Sequence, residues 1–204
     1  MHIAIAGNIG AGKTSLTDLL SKHYKWQGHF EEVVENPYLD DFYHQMERWS
    51  FNLQIYFLNS RFGQLIEIQK SGINVIQDRS IYEDAHIFAP NLHAMGLLSQ
   101  RDYQNYISLF ELMEGMVTGP DLMIYLRSSI PNLVDNIHKR GREFENSISI
   151  DYLSRLNERY EAWVHNYNKG KLLIIDVDEL NFVDNPSDMG AIIEKIDSEI
   201  NGLF

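Results

Sequence analysis

Five short runs rich in β-branched and aromatic residues punctuate the chain: HIAIAG (2–7), FEEVV (30–34), INVIQD (73–78), DLMIYL (121–126) and KLLIID (171–176). Their length and composition predict strands. The stretches between them repeat apolar residues at helical spacing. Leu16, Leu19, Leu20 and Tyr24 keep one face after the first run. Phe42, Met46, Trp49, Leu53, Tyr56 and Phe57 line a long helix expected to reach about Lys70. Tyr103, Tyr106, Ile107, Phe110, Met113 and Val117 form a third stripe, and Leu153, Leu156, Tyr160, Trp163 and Val164 a fourth. Strands alternating with helices imply parallel crossovers, hence a layered α/β domain. Pro37, Pro90, Pro120, Pro131 and Pro186 fall at breaks in the pattern, where a missing N–H is tolerated. Two of the helices are apolar over more than one face, which suits core and, as a second use, a dimer interface.

No repeat, low-complexity linker or composition shift interrupts residues 1–204, so one domain is expected. No apolar run reaches the roughly 18 residues of a membrane span, and the N-terminus enters a strand without a basic leader. The chain has no cysteine, which excludes disulfides and thiolate metal sites and fits a reducing cytoplasm. A net charge of −12 argues against a nucleic-acid polymer as partner, since such binding draws on Lys and Arg. It leaves room for a nucleotide, whose phosphates need only a few local cations.

Such cations are present. GNIGAGKTS satisfies G-x-x-x-x-G-K-[ST] between a predicted strand and a predicted helix, the setting of a phosphate-cradling P-loop. Gly7, Asn8, Gly10, Gly12, Lys13, Thr14 and Ser15 are therefore expected around donor phosphates, with Thr14 on Mg²⁺. Asp78 closes the third predicted strand, where a carboxylate commonly meets the metal. Its neighbour is Arg79, whereas a hydrolytic ATPase would favour a second acid to polarise water. Arginine there suits clamping a phosphoryl group in transfer.

Other segments are less decisive alone. Glu31, Glu32 and Glu35 cluster where the second strand should end. Any of them within reach could accept a hydroxyl proton, although alternation lets only one of Glu31 and Glu32 face the site. Lys139, Arg140 and Arg142 surround Gly141, the composition of a lid at about 138–146 and equally of a basic helix end. Gln54 and Arg61 stand two turns apart on the long helix, where they suit either a solvated face or the polar edge of a nucleobase.

In their order, the P-loop, EEVV, RWSFNLQIYFLNSR, DRSIYEDAHIFA and KRGREFEN closely resemble the deoxyribonucleoside kinase family, over nearly the whole chain. NPYLDDFYHQMERWSFNLQIYFL is most similar to the bacterial purine-preferring members. The resemblance implies a P-loop kinase fold, a five-stranded parallel sheet flanked by helices, and a homodimer. It also implies phosphorylation of a 2′-deoxyribonucleoside 5′-hydroxyl by ATP with Mg²⁺, leaning to deoxyadenosine or deoxyguanosine. Position by position, Glu32 would be the general base, with Arg79 on that carboxylate and the phosphoryl group, and Lys13 and the lid absorbing developing charge. Asp78 would lie near Mg²⁺. Tyr43 and Glu145 would bind the sugar 3′-hydroxyl, Gln54 and Asp84 the base edge, with Arg61 in support and Phe88 stacked on the base. Arg140 and Arg142 would cover the donor phosphates.

Two departures stand out. The family often carries an arginine where this chain has Asn136, and the segment from Glu32 to Tyr43 is shorter than in animal members. Two rival readings share the loop. A nucleoside monophosphate kinase would need extra cations for the acceptor phosphate, where this chain offers Tyr43, Gln54, Asp84 and Glu145. A regulatory ATPase or switch would need a water-positioning residue beside Asp78.

Overall fold

The run HIAIAG becomes strand β1 (His2–Gly7), buried along its whole length. It lies in the middle of a five-stranded sheet with neighbours on both edges. The computed structural model describes residues 1–31 and 36–202. After β1 come α1 (Lys13–Tyr24), β2 (Gln27–His29), α2 (Leu39–His44), α3 (Met46–Ser71) and β3 (Val75–Asp78). A helical stretch follows, made of α4 (Ile81–Glu83), a π-helical turn (Asp84–Phe88) and α5 (Ala89–Ala94), and then α6 (Gln100–Glu114). The second half holds β4 (Leu122–Arg127), α7 (Ile130–Arg140), a 3₁₀ turn (Glu143–Ser147), α8 (Ile150–His165), β5 (Lys171–Asp176) and α9 (Pro186–Asn201). All strands run parallel, in the order β2-β3-β1-β4-β5, as the expected α/β class requires.

Alternation along the strands divides the core into two layers. Ile3, Ile5, Ile124 and Leu126 pack with Leu16 and Leu20 of α1 and with Ile192 and Ile196 of α9. Ala4, Ala6, Met123 and Tyr125 face the other layer, with Leu58 of α3, Phe110 of α6 and Tyr160 of α8. Both sheet faces are thereby covered, which is why the central strands read as continuous apolar runs. The carboxyl ends of β1 and β3 are adjacent, with Ile5 opposite Asp78, so the loops after them open into one crevice.

Two boundaries differ from the pattern. The second strand, expected at 30–34, is Gln27–His29, with Gln27 opposite Val75 and His29 opposite Gln77. Ladder pairing with β3 fixes its place, and at a sheet edge a polar, partly exposed strand is tolerated, so apolar content points too far along the chain. Phe30 and Glu31 follow the strand, and 32–34 lie outside the described residues. The long stripe is two helices. Gln45, at φ −142°, breaks it between α2, which holds Phe42, and α3, which holds the remainder.

The wide turn at Asp84–Phe88 has a local cause. Ala89 N–H reaches back five residues to the Asp84 carbonyl, and Pro90 has no N–H with which to resume the α register.

Candidate active site

Donor half. The loop between β1 and α1 bends on glycines whose φ angles are positive, +88° at Gly10 and +89° at Gly12. Side chains there would also collide: a Cβ on Gly10 would stand 2.6 Å from the Leu133 carbonyl oxygen, and one on Gly12 would stand 2.9 Å from the Phe182 ring. The α1 N-terminus is left pointing at whatever the loop holds. Lys13 is buried and donates to the Asn8 carbonyl at 2.8 Å. Burial, with Arg79 close by, pushes its ammonium down to about 7, so an anion laid in the loop would restore its charge. A cleft runs outward from Gly10–Ser15 between Asn132, Asn136, Lys139, Arg140 and Arg142 on one side and residues 177–184 on the other. Asn136, which departs from the arginine expected of the resemblance, donates to the Gly10 carbonyl at 2.9 Å and braces the loop instead of adding charge.

End of β3. The Thr14 hydroxyl donates to Asp78 Oδ2, and Asp78 Oδ1 is buried without a partner among the described residues. A hydroxyl and a carboxylate with a spare oxygen are hard donors, which fit Mg²⁺ shared with phosphates. Arg79 takes a left-handed backbone, φ +69°, unusual outside glycine and a mark of imposed geometry. Its N–H donates to the Ile5 carbonyl at 3.0 Å, and its guanidinium turns back over β1. There Nη1 donates to Tyr160 at 2.9 Å, Glu83 at 3.1 Å and the Gly7 carbonyl at 3.3 Å, while Nε stands 3.4 Å from Glu31. Glu83, fully buried, also caps α4 through the Ser80 N–H at 3.0 Å.

Acceptor half. A second cavity lies between α2, α3, the π-helical turn and the 3₁₀ turn, lined by Tyr43, Gln54, Phe57, Asp84, Phe88 and Glu145 among others. Gln54 is buried with its Oε1 unpartnered among the described residues, an amide acceptor held ready for a ligand. Arg61 lies over the Phe57 ring and bridges two carboxylates, Asp84 through Nη1 and Glu31 through Nη2. Burial raises the Glu31 pKa, but Arg79, Arg61 and Lys13 outweigh it and hold the carboxyl below the ordinary range. Arg79 also sits over Phe88, 4.8 Å from the ring centroid. Phe144 stacks on Tyr43 at 5.6 Å, and Glu145 accepts from Arg140 at 2.6 and 3.0 Å and lies 3.4 Å from Arg142.

The two halves meet. Lys13, Thr14, Arg140 and Arg142 line both the donor cleft and the acceptor cavity. Of the expected residues, Gly10, Gly12 and Ser15 line the donor cleft, and Tyr43, Gln54, Arg61, Arg79, Asp84, Phe88 and Glu145 line the acceptor cavity. Gly7 and Asn8 line neither: Gly7 meets Arg79 through its carbonyl, and the Asn8 amide turns to α8. Asp78 reaches the site through Thr14. Glu32 lies outside the described residues. Of the three carboxylates clustered there in sequence, Glu31 lines the acceptor cavity, and Glu35, like Glu32, lies outside the described residues. Glu83 and Tyr160 were missed as site residues. Glu83 had a signal, four residues after Arg79 and closing an S-x-x-E capping box with Ser80. Tyr160 had none, being one more aromatic in a core stripe.

The family described as "Deoxynucleoside kinase" matches residues 3–201. The chain is similar to the deoxyadenosine/deoxycytidine kinase of Bacillus subtilis, 41% identical over 98% of this chain and 93% of the relative. It is similar to the deoxyadenosine kinase of Dictyostelium discoideum, 39% identical over 95% of this chain and 78% of the relative. Among solved structures, the deoxyadenosine kinase of M. mycoides with products dCMP and a flexible dCDP bound superposes with a TM-score of 0.86. That structure is 33% identical, and the match covers 97% of this chain and 100% of the other.

Proposed function

Because the chain belongs to the deoxynucleoside kinase family and phosphorylates a deoxynucleoside at its 5′-hydroxyl, we propose that deoxyadenosine is its leading acceptor, ATP its donor and Glu31 its base. The observation that carries the reading is the shared wall: Lys13, Thr14, Arg140 and Arg142 border both cavities, so a γ-phosphoryl group held there faces the acceptor's hydroxyl. In-line placement across that wall supplies the proximity on which phosphoryl transfer depends.

The residues divide the work as follows. Phe57, Phe88 and Tyr43 shape a flat apolar slot for the base and sugar, and the Gln54 amide and Asp84 read the base edge. An amide offers both donor and acceptor, which suits adenine, and suits guanine or cytosine as secondary acceptors. Tyr43 and Glu145 take the 3′-hydroxyl. Glu31, fixed by Arg61 and beside Arg79, accepts the 5′-hydroxyl proton. Arg79, Lys13, Arg140 and Arg142 donate to the phosphoryl oxygens as charge develops. Arg140 and Arg142 would trade part of their hold on Glu145 for phosphate, which is how a lid closes on its substrate. Thr14 and Asp78 would hold Mg²⁺, which when bound neutralises charge on the donor phosphates. The chain works as a homodimer through the face that exposes Leu112 of α6 and Met116 just beyond its end.

The test is a coupled phosphorylation assay with the four deoxynucleosides, their ribose forms and a deoxynucleoside monophosphate. Deoxyadenosine giving the highest kcat/KM supports the reading. Activity confined to the monophosphate, whose dianion would meet Glu31, Asp84 and Glu145, would sink it.

A further inference from the structure

The helix after the lid does more than cover the sheet. Tyr160, fully buried in α8, brings its hydroxyl to the point where β1 and β3 end. That oxygen accepts from Arg79 Nη1 at 2.9 Å and lies 2.8 Å from Glu83 Oε1 and 2.9 Å from the Gly7 carbonyl. A phenol has one proton to give and lone pairs to accept with, so this single group joins the arginine, its counter-ion and the first residue of the phosphate loop. One turn earlier on the same face, Asn157 accepts from the Asn8 amide at 2.6 Å and donates to the Ser128 carbonyl at 2.8 Å. The Leu153 carbonyl accepts from that amide too, at 3.0 Å. Leu153, Asn157 and Tyr160 fall on one stripe by helical spacing, so α8 grips two consecutive residues of the P-loop.

We propose that Tyr160 is a positioning residue: it locks the Arg79 guanidinium to the P-loop, fixing where that arginine meets the phosphoryl group. The inference rests on the kinase reading above. Arg79 needs such a lock. Its backbone is left-handed, and among the described residues its Nε has only the partly exposed Glu31 beside it, so the Nη1 contacts set its aim. A flexible cation at that place would lose much of the advantage of a preorganised donor.

The ring does not depend on the hydroxyl for its place. It stacks on Tyr125 with centroids 5.6 Å apart and planes 13° apart, so Tyr160→Phe should keep the packing. Loss of a hydrogen bond to a charged group predicts kcat lower by about 10- to 100-fold. The deoxynucleoside KM should stay within about twofold, because Tyr160 does not line the acceptor cavity. In an Arg79→Lys background the same change should cost less than about twofold, since the group it positions is gone. Glu83→Gln is the second variant, and the same non-additivity is expected of it. A Tyr160→Phe kcat within threefold of the parent overturns the proposal, as does an equal factor in both backgrounds. If the parent phosphorylates no deoxynucleoside, the kinase reading itself fails. A parent that works and a Tyr160→Phe that works equally well rejects the positioning role alone.

Discussion

Exchanging Glu31 for glutamine removes a charge and almost nothing else. The amide keeps the size of the side chain and can still accept from Arg61. Neither arginine beside it is stranded. Arg61 retains Asp84, and Arg79 retains Glu83 at 3.1 Å and Tyr160 at 2.9 Å. The cavity walls at Gln54, Phe57 and Phe88 are untouched, so the deoxynucleoside KM should change by less than about threefold. What disappears is the group proposed to take the hydroxyl proton. General base catalysis contributes roughly 10² to 10⁴ in rate, about 2.7 to 5.4 kcal/mol of barrier, and kcat should fall by that factor. The measurement is ADP release with saturating deoxyadenosine, on Glu31→Gln and Glu32→Gln side by side. A Glu32→Gln enzyme with normal turnover completes the expected result. If Glu31→Gln keeps its kcat while Glu32→Gln loses it, the base is Glu32, and the carboxylate between Arg61 and Arg79 only anchors them.

Other consequences can be checked with the same protein. His2 is buried and its pKa is lowered to about 4 by desolvation, with the ring 3.0 Å from Gln77 Oε1. The folded chain keeps it neutral while the unfolded chain takes up a proton below about 6.5. Stability from this group is therefore complete above pH 6.5 and lost as pH falls toward 4, by about 3 kcal/mol in all. Urea melts across that window should show the slope, and His2→Gln should flatten it. Because Arg79 and Arg61 hold Glu31 below the ordinary carboxylate range, kcat should show no acid limb from this group between pH 7 and 5. A limb near pH 6 that vanished in Glu31→Gln would show that the two arginines do not hold this carboxyl down. Arg61→Leu strands Asp84 and Glu31 without their shared cation; breaking a buried pair costs about 3–5 kcal/mol, or a thermal midpoint lower by about 6 °C or more. Gly10→Ala sets a Cβ 2.6 Å from the Leu133 backbone oxygen at φ +88°, so ATP binding by calorimetry should drop at least about tenfold, with deoxyadenosine binding retained.

The donor half of this protein was written in local sequence. A P-loop needs a strand, glycines that permit positive φ and a helix start, all within a dozen consecutive residues, so its chemistry is legible without knowing the rest of the fold. The parallel α/β class was legible too, because alternating strand and helix periods admit few other arrangements. The acceptor half draws Tyr43 from α2, Gln54 and Arg61 from α3, Asp84 and Phe88 from one π-helical turn and Glu145 from the 3₁₀ turn. Nothing in their spacing alone separates them from a solvated face; the resemblance to a known family named them, and only packing brings them to one cavity. Tertiary structure also moved the second strand to Gln27–His29, since hydrogen bonding to β3 outweighs apolar content at a sheet edge. It brought Glu31 into the acceptor cavity, where Arg61 of α3 and Arg79, just after β3, converge. Tyr160 is the clearest case. Its sequence context is a core stripe on an amphipathic helix, and its hydroxyl gains meaning only where α8 crosses the ends of β1 and β3, next to Arg79. Short-range geometry is encoded by neighbours along the chain, whereas the partner of a buried polar atom is chosen by whichever distant segment the fold lays beside it.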